Sequence, residues 1–393
     1  MKHMKKIFTV FIILSVVVLA QTSVVFAVPP LPSSMYGTVT VNNENVPDGT
    51  VIEALINNQV VAYAYTQTYQ GNSVYSLDVP GDDSSTTEIE GGIDDDAITF
   101  KIGGTAKYFV EVRSEGEIVE AIEWAQKNGK PFFILSGGSN VLIPDRGYNG
   151  LVIYITHKPM DVNGEQIDCF AGCALGYVID RAIDTGLCGI EKLAGIPGSI
   201  GGAVRGNAGA FGVEVKDMVD EVSCVSVQDG KVARKTFSNN ECDFEYRTSF
   251  FKSNPKWIIA GVKISLQEGD KEEAKKIAAD IVRKRNEKQD QGAKCAGSFF
   301  KNPVVSADIQ KEFEKDKDTV CKDEKVPAGW LIEKVGLENA KVGGACVSPQ
   351  HANYIVNTGN ATFNDVYDLM NLIKQGVQEA YGVELEEEVQ ILK

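Results

Sequence analysis

The sequence predicts an α+β protein preceded by a small all-β sandwich. Three observations carry this. Short β-branched runs broken by turn signals fill residues 36–79. After Phe100, strand-like and helix-like segments alternate. Between Gly195 and Gly212, seven glycines sit among apolar residues, a density whose conformational cost needs a reason.

The first 27 residues read as a secretion signal. Lys2, Lys5 and Lys6 form a positive start, 7–20 is an apolar run, and Val25-Phe26-Ala27 offers a cleavage site. An uncleaved anchor is the alternative reading, and either one predicts export. Residues 28–98 are expected to form the sandwich module. Pro29, Pro30 and Pro32 mark a linker, and strands are expected at 36–41, 50–56, 59–66 and 73–79. Asn42-Asn43, Pro47-Asp48-Gly49, Gly71-Asn72 and Pro80-Gly81 supply the turns. The module ends in an acidic stretch that holds Asp82, Asp83, Glu88, Glu90, Asp94, Asp95 and Asp96 and no base, read as a solvated linker. The module resembles small all-β units appended to exported surface proteins, and its own partner is unknown.

The formal net charge of −15 argues against nucleic-acid binding. All eight cysteines lie after residue 168, scattered singly and with no CxxC. Cys169 and Cys173 lack companions at metal-ligand spacing, so no metal site is expected. The set reads as buried apolar thiols of a cytosolic kind, in conflict with the signal.

From 99 to 270 the pattern is α+β. A strand at 110–112 leads to a capping box at Ser114–Glu117, in which Ser114 accepts from the backbone and Glu117 reaches back. The helix that follows ends at Asn128-Gly129. Further segments run at 131–135, 151–155, 177–184, 221–228 and 257–266. From 271 to 393 a basic helix at 271–288 opens a last α/β unit, with a helix at 363–380 and a strand at 388–392.

Two glycine segments carry chemistry. Gly137, Gly138, Ser139 and Asn140 follow a strand and suit an anion-binding backbone nest, although many plain turns read the same way. AGIPGSIGGAVRGNAGAFG, at 194–212, suits a long diphosphate cofactor lying against the backbone. Its spacing is not the dinucleotide fingerprint GxGxxG.

These phrases resemble the UDP-N-acetylenolpyruvoylglucosamine reductase family. LSGGSNVLI, CDFEYRTSFFK, CAGSFFKNP, AGWLIEKVGL, SPQHANYIVN and LEEEV agree with it in order. The resemblance implies an FAD-binding unit of two subdomains, of the p-cresol methylhydroxylase type, and a C-terminal substrate domain. It implies that NADPH reduces FAD, and that the reduced flavin then reduces the enolpyruvyl ether of a UDP-sugar for peptidoglycan precursor synthesis. Ser298 would be the proton donor, Arg247 would polarise the substrate carboxylate, and Glu388 would complete that group. Lys301 and Asn302 would hold substrate. Gly137, Gly138, Ser139 and Asn140 would contact the FAD diphosphate, and Gly195, Gly198, Gly201 and Asn207 would form a second flavin stretch. Lys294, or the helix bearing Arg283 and Arg285, could attract a diphosphate. The gap between Arg247 and Ser298 resembles the shorter subclass, which lacks a tyrosine-bearing loop.

TFKIGG, at 99–104, fits both the module before it and the reductase after it. It suggests a chimera joined there, by gene fusion or sequence assembly. UDP-sugars and NADPH are cytosolic, so the chemistry points to the cytoplasm and the first 27 residues point outward. Two alternatives are an FAD-dependent oxidase of the same fold and an exported binding protein whose reductase part is a relic. The oxidase would be expected to lack the Arg247, Ser298 and Glu388 set and often to hold its flavin covalently through His or Cys. His157 is the only histidine near the flavin half, with no motif around it.

Overall fold

The computed structural model describes strands within 33–79, and residues 98–392 apart from 157–159, 229 and 289–292. The signal-like segment, the proline linker, the acidic stretch and His157 lie outside the described residues. The chain divides into two units, Met1–Thr87 and Glu88–Lys393.

In the first unit, Asn72–Val79 pairs antiparallel with Ser33–Thr38 and with Gln67–Tyr69. Val51–Ile56 pairs with Gln59–Tyr65, and Thr40–Val41 with Glu44–Asn45. The strands Val51–Ile56, Gln59–Tyr65 and Asn72–Val79 fall on the β-branched runs, whereas the run at 36–41 is shared between Ser33–Thr38 and Thr40–Val41, and Glu44–Asn45 lies outside the expected runs.

The second unit is built on two hydrophobic cores that share one sheet. Tyr148–Ile155 is the central strand, parallel to Ala106–Val112 on one side and Phe132–Leu135 on the other. Side chains alternate across a strand. Leu151, Ile153 and Ile155 therefore face one core, and Val152 faces the other. The helix Glu115–Lys127 covers the first face with Ile118, Val119 and Ile122. Ser114 caps it by accepting from the Glu117 amide at 3.2 Å. The second half of the expected capping box is displaced by one residue, because the Glu117 carboxylate accepts from the Arg113 amide.

The first core continues into a five-stranded antiparallel sheet. Its order is Asp161–Asn163, Gln166–Phe170, Ile258–Ser265, Val219–Gln228 and Lys231–Ser238. The helices Leu175–Asp184 and Ile200–Arg205 lie on it. The second core lies under a four-stranded antiparallel sheet ordered Lys294–Ser298, Tyr354–Asn357, Ala345–Val347 and Lys341–Val342. The helices Ala328–Lys334 and Phe363–Tyr381 fill its other side. The chain then returns, and Gln390–Ile391 pairs in parallel with Val141–Leu142.

The two cores do not follow a cut at 270/271. The helix Lys271–Lys288 buries Ala274 in the first core. Ile98, Phe100 and Ile102 are buried in the second, among residues from the C-terminal unit. Asn357 Nδ2 donates to the carbonyls of Phe100 and Lys101 at 3.2 and 3.1 Å. TFKIGG is thus an integral part of the second unit.

Candidate active site

The two glycine segments are brought face to face. The Gly137 Cα lies so close to Gly198 that a Cβ added at 137 would stand 2.5 Å from the Gly198 Cα. Neither position tolerates a side chain, and Gly198 also has φ of +105°, where glycine is favoured. Ser139 Oγ donates to the Pro197 carbonyl at 3.3 Å and ties the segments together. Ser199 caps the helix Ile200–Arg205 by accepting from the Gly202 amide. Gly201 sits directly on Ala171, leaving 2.7 Å for an added Cβ.

A cavity of about 890 Å³ runs between these segments and the C-terminal sheet. That is the upper range for small-molecule sites. Gly137, Gly138, Ser139, Asn140, Gly195, Gly198 and Gly201 all line it, as do Ser298, Arg247 and Glu388.

Three different elements deliver the polar trio. Arg247 occupies a tight turn closed by reciprocal 3.2 Å bonds between Glu245 and Thr248, and has φ of +57°. Ser298 ends the strand Lys294–Ser298, opposite Tyr354. Glu388 is held on the returning chain, its amide donating to the Phe299 carbonyl at 2.8 Å. Arg247 Nε stands 2.9 Å from Glu388 Oε1. This contact is an ion pair between two partly buried side chains. The Arg247 terminal nitrogen donates to the Gly209 carbonyl at 3.1 Å.

Burial dominates the electrostatics. It pushes the Glu388 carboxyl above its ordinary pKa, against the pull of Arg247, Lys252 and Lys301. It pushes Lys252 down, helped by Lys301 and Arg205. Tyr354 is pushed up by burial and shares a hydrogen bond with the Ser298 side chain. Arg285 and Arg205 line the cavity, and burial lowers both. Arg285 Nε is buried at that wall, against Gly195, without a hydrogen-bond partner.

Three expected contacts fall elsewhere. Asn207 is fully buried and does not line the cavity. Its amide donates to the Glu245 carbonyl at 2.9 Å and to Glu214 at 3.1 Å, and its oxygen accepts from the Lys216 amide at 3.2 Å. With those bonds made, its side chain anchors the Arg247 turn. Lys301 Nζ pairs with the Glu386 carboxylate, and Asn302 Oδ1 accepts from the Ala328 amide at 3.1 Å. Neither lines the cavity, because each closes a contact within the C-terminal unit. Asn140 does line it, but its side chain donates to the Glu388 carbonyl at 3.1 Å. Lys294 and Arg285 reach the wall, whereas Arg283 pairs with Asp280 and Glu287 on the exposed helix face. Sequence reasoning missed Tyr354, Arg205 and Lys252. All three lie inside the quoted phrases, Tyr354 in SPQHANYIVN, Arg205 in AGIPGSIGGAVRGNAGAFG and Lys252 at the end of CDFEYRTSFFK, but nothing in the phrases singles them out.

The residues present fit an FAD. The facing glycine backbones make a cradle that a Cβ would fill, and the buried Arg285 Nε needs an acceptor. Among the described residues, no cluster could hold a metal ion, and no helix is long and apolar enough to cross a membrane.

Fold and site together define a flavoprotein of the FAD-binding type. Residues 106–235 match the family model for an FAD binding domain, and 288–392 match the C-terminal domain of UDP-N-acetylenolpyruvoylglucosamine reductase. A reductase of that name from Solibacter usitatus is 38% identical over 291 residues, which are 74% of this chain and 92% of its own. One from Carboxydothermus hydrogenoformans is 38% identical over 296 residues, 75% of this chain and 90% of its own. The crystal structure of the enzyme from Thermus caldophilus is similar with a TM-score of 0.60 at 32% identity, covering 76% of this chain and 97% of that one. The chain belongs to the UDP-N-acetylenolpyruvoylglucosamine reductase family.

Proposed function

We propose that the protein is an FAD-dependent oxidoreductase that uses NADPH to reduce UDP-N-acetylglucosamine enolpyruvate to UDP-N-acetylmuramate, a step of peptidoglycan precursor synthesis. The observation that carries this is the convergence of Ser298, Arg247 and Glu388 on the wall of the cavity that the glycine segments line. When bound, the flavin supplies hydride transfer between a nicotinamide and an unsaturated acceptor.

The chain's own residues supply the rest. The Arg247 fork binds the substrate carboxylate and draws electron density toward it as charge develops there. Glu388 holds that fork in orientation by its charge. The Ser298 hydroxyl delivers the proton to the carbon beside the carboxylate. The Tyr354 phenol lies beside Ser298, orients that hydroxyl, and can donate its own O–H to the serine oxygen as the serine proton leaves. Gly137, Gly138, Gly195, Gly198 and Gly201 hold the cofactor by backbone contact.

An oxidase of the same fold has no use for a carboxylate-binding arginine paired with a half-buried acid, and the trio therefore favours the reductase. The strands within 33–79 lie in the first unit, whose partner is a question apart from this chemistry. The test uses the purified full chain. A flavin spectrum that bleaches with anaerobic NADPH and returns when the UDP-enolpyruvyl sugar is added supports the proposal. A protein that takes up no FAD, or whose bleached flavin ignores the sugar, overturns it.

A further inference from the structure

Arg247 is a long-chain residue in a left-handed backbone conformation, with φ of +57°. Such a conformation costs energy for any residue with a Cβ, and it persists only when its surroundings hold it. Several contacts hold the turn around it. Glu245 and Thr248 exchange backbone bonds, Asn207 takes the Glu245 carbonyl, and Tyr246 accepts from the Asn302 amide at 3.3 Å. Lys325 Nζ lies over the Tyr246 ring, 4.7 Å from its centroid. The bond to the Arg247 carbonyl itself comes from Lys252 Nζ, at 3.2 Å.

Lys252 is placed to do this at some electrostatic cost. It sits half-buried on the short helix Phe250–Ser253, with Lys301 and Arg205 nearby. An ammonium in that position is disfavoured by burial and by like charge, and Glu388 and Glu386 offset it only in part. Lys252 does not line the cavity, so direct contact with a ligand is not its role. It stands behind Arg247 and shares the field of Glu388 with it.

The geometry points to Lys252 as a positioning residue, whose bond to the Arg247 carbonyl keeps the guanidinium on the substrate side of the cavity. This rests on the proposed reductase reading for its kinetic consequence, but its structural consequence does not. A displacement of the order of 1 Å at a positioned group can cost about 100-fold in rate.

The experiment compares K252M and K252R with the wild type as full-length holoenzymes. K252M is expected to keep its flavin and to be bleached by NADPH within about twofold of the wild-type rate. Its reoxidation by the UDP-enolpyruvyl sugar is expected to slow about 100-fold, and K252R to recover much of that loss. Wild-type reoxidation in K252M, or equal slowing of both half-reactions, would overturn the inference. A crystal structure of K252M supplies the readout that does not depend on substrate. Arg247 leaving the left-handed region, or its side chain leaving Glu388, supports the role. An unmoved Arg247 overturns it. If K252M does not fold, the same structural and half-reaction readouts are made on K252Q. A wild-type protein inert toward the sugar would sink the reductase reading instead, while the crystal structure would still decide the role of Lys252.

Discussion

Arg247 and Glu388 meet across the cavity wall at 2.9 Å, and each is about one-fifth exposed. Glu388 closes a run of three acids, and the fold gives each a different cation. Glu386 pairs with Lys301, Glu387 with Lys374 and Glu388 with Arg247. Successive side chains of an extended segment point to opposite sides. Glu387 is thereby directed to the helix Phe363–Tyr381, which carries Lys374, while Glu388 turns to the cavity. The acidic run is neither one solvated face nor one site.

The pair gives the first prediction. R247A and E388Q are each expected to lower kcat by a factor of about 100 to 1,000, the scale for losing one preorganised charge-stabilising group. The double variant is expected to lose little more than the worse single one, because the two act as a unit. Half-reaction kinetics check this: the loss belongs to the sugar step, with NADPH bleaching retained. Additive losses would separate the two residues.

Ser298 gives the second. S298A removes the hydroxyl that faces Tyr354, and its sugar step is expected to slow by about 100- to 10,000-fold, the range for a positioned proton donor. Y354F leaves the serine in place and removes its partner, so a smaller loss is expected. Solvent-isotope incorporation at the carbon beside the carboxylate provides the measurement. An S298A enzyme that protonates at the wild-type rate would remove serine from the role.

The larger architecture was legible because period and glycine density are local signals. The helices at 271–288 and 363–381 and the central strand follow the sequence pattern closely. The trio was legible through resemblance; its spacing alone would equally suit a turn serine, a surface arginine and a solvated acid. The inward turn of the Asn207 side chain to Glu245 was not legible, because its phrase, GNAG, suggested only the flavin stretch that the resemblance implies. The partners of Lys301 and Asn302 were illegible for a related reason. Proximity in sequence to Ser298 says nothing of which side of a strand a side chain leaves by, and Glu386 and Ala328 claim them. The sharing of cores by Phe100 and Ala274 arises from contacts between distant segments, which no local pattern encodes.

The inward placement of Asn207 is itself a prediction. N207L removes three bonds from a fully buried site, leaves the Lys216 amide unpaired and leaves the Glu245 carbonyl with only its bond from Thr248. A loss of about 1–3 kcal/mol for each group stranded this way is expected, together with a weaker grip on Arg247. Denaturant unfolding measures the first, and the sugar half-reaction measures the second. A variant of unchanged stability that loses only its flavin would restore Asn207 to cofactor binding. G137A makes the opposite case. Its Cβ would meet the Gly198 backbone at 2.5 Å, so the two loops must part, and flavin retention is expected to fall before overall stability does.

The pH dependence follows from two half-buried groups that shift in opposite directions. Burial raises the Glu388 carboxyl above the ordinary value of about 4.3 and lowers Lys252 below the ordinary value of about 10.4. Arg247 needs the Glu388 carboxylate beside it, so the sugar step is expected to fall as pH drops through the raised carboxyl pKa. It is expected to fall again as pH rises through the lowered ammonium pKa, when Lys252 loses a donor and its charge. The result is a bell for kcat of the sugar step that is narrower than exposed groups would give. Stability responds with its own signs. A folded-state carboxyl pKa above the unfolded one means that the folded state binds more protons between the two values, so Glu388 makes stability fall as pH rises through that window. For Lys252 the unfolded state binds more protons between the lowered and ordinary values, so stability rises with pH there. E388Q is expected to remove the acid limb of the bell, and K252M the alkaline limb, each leaving the other in place. An acid limb that survives in E388Q would assign it to a different carboxyl group.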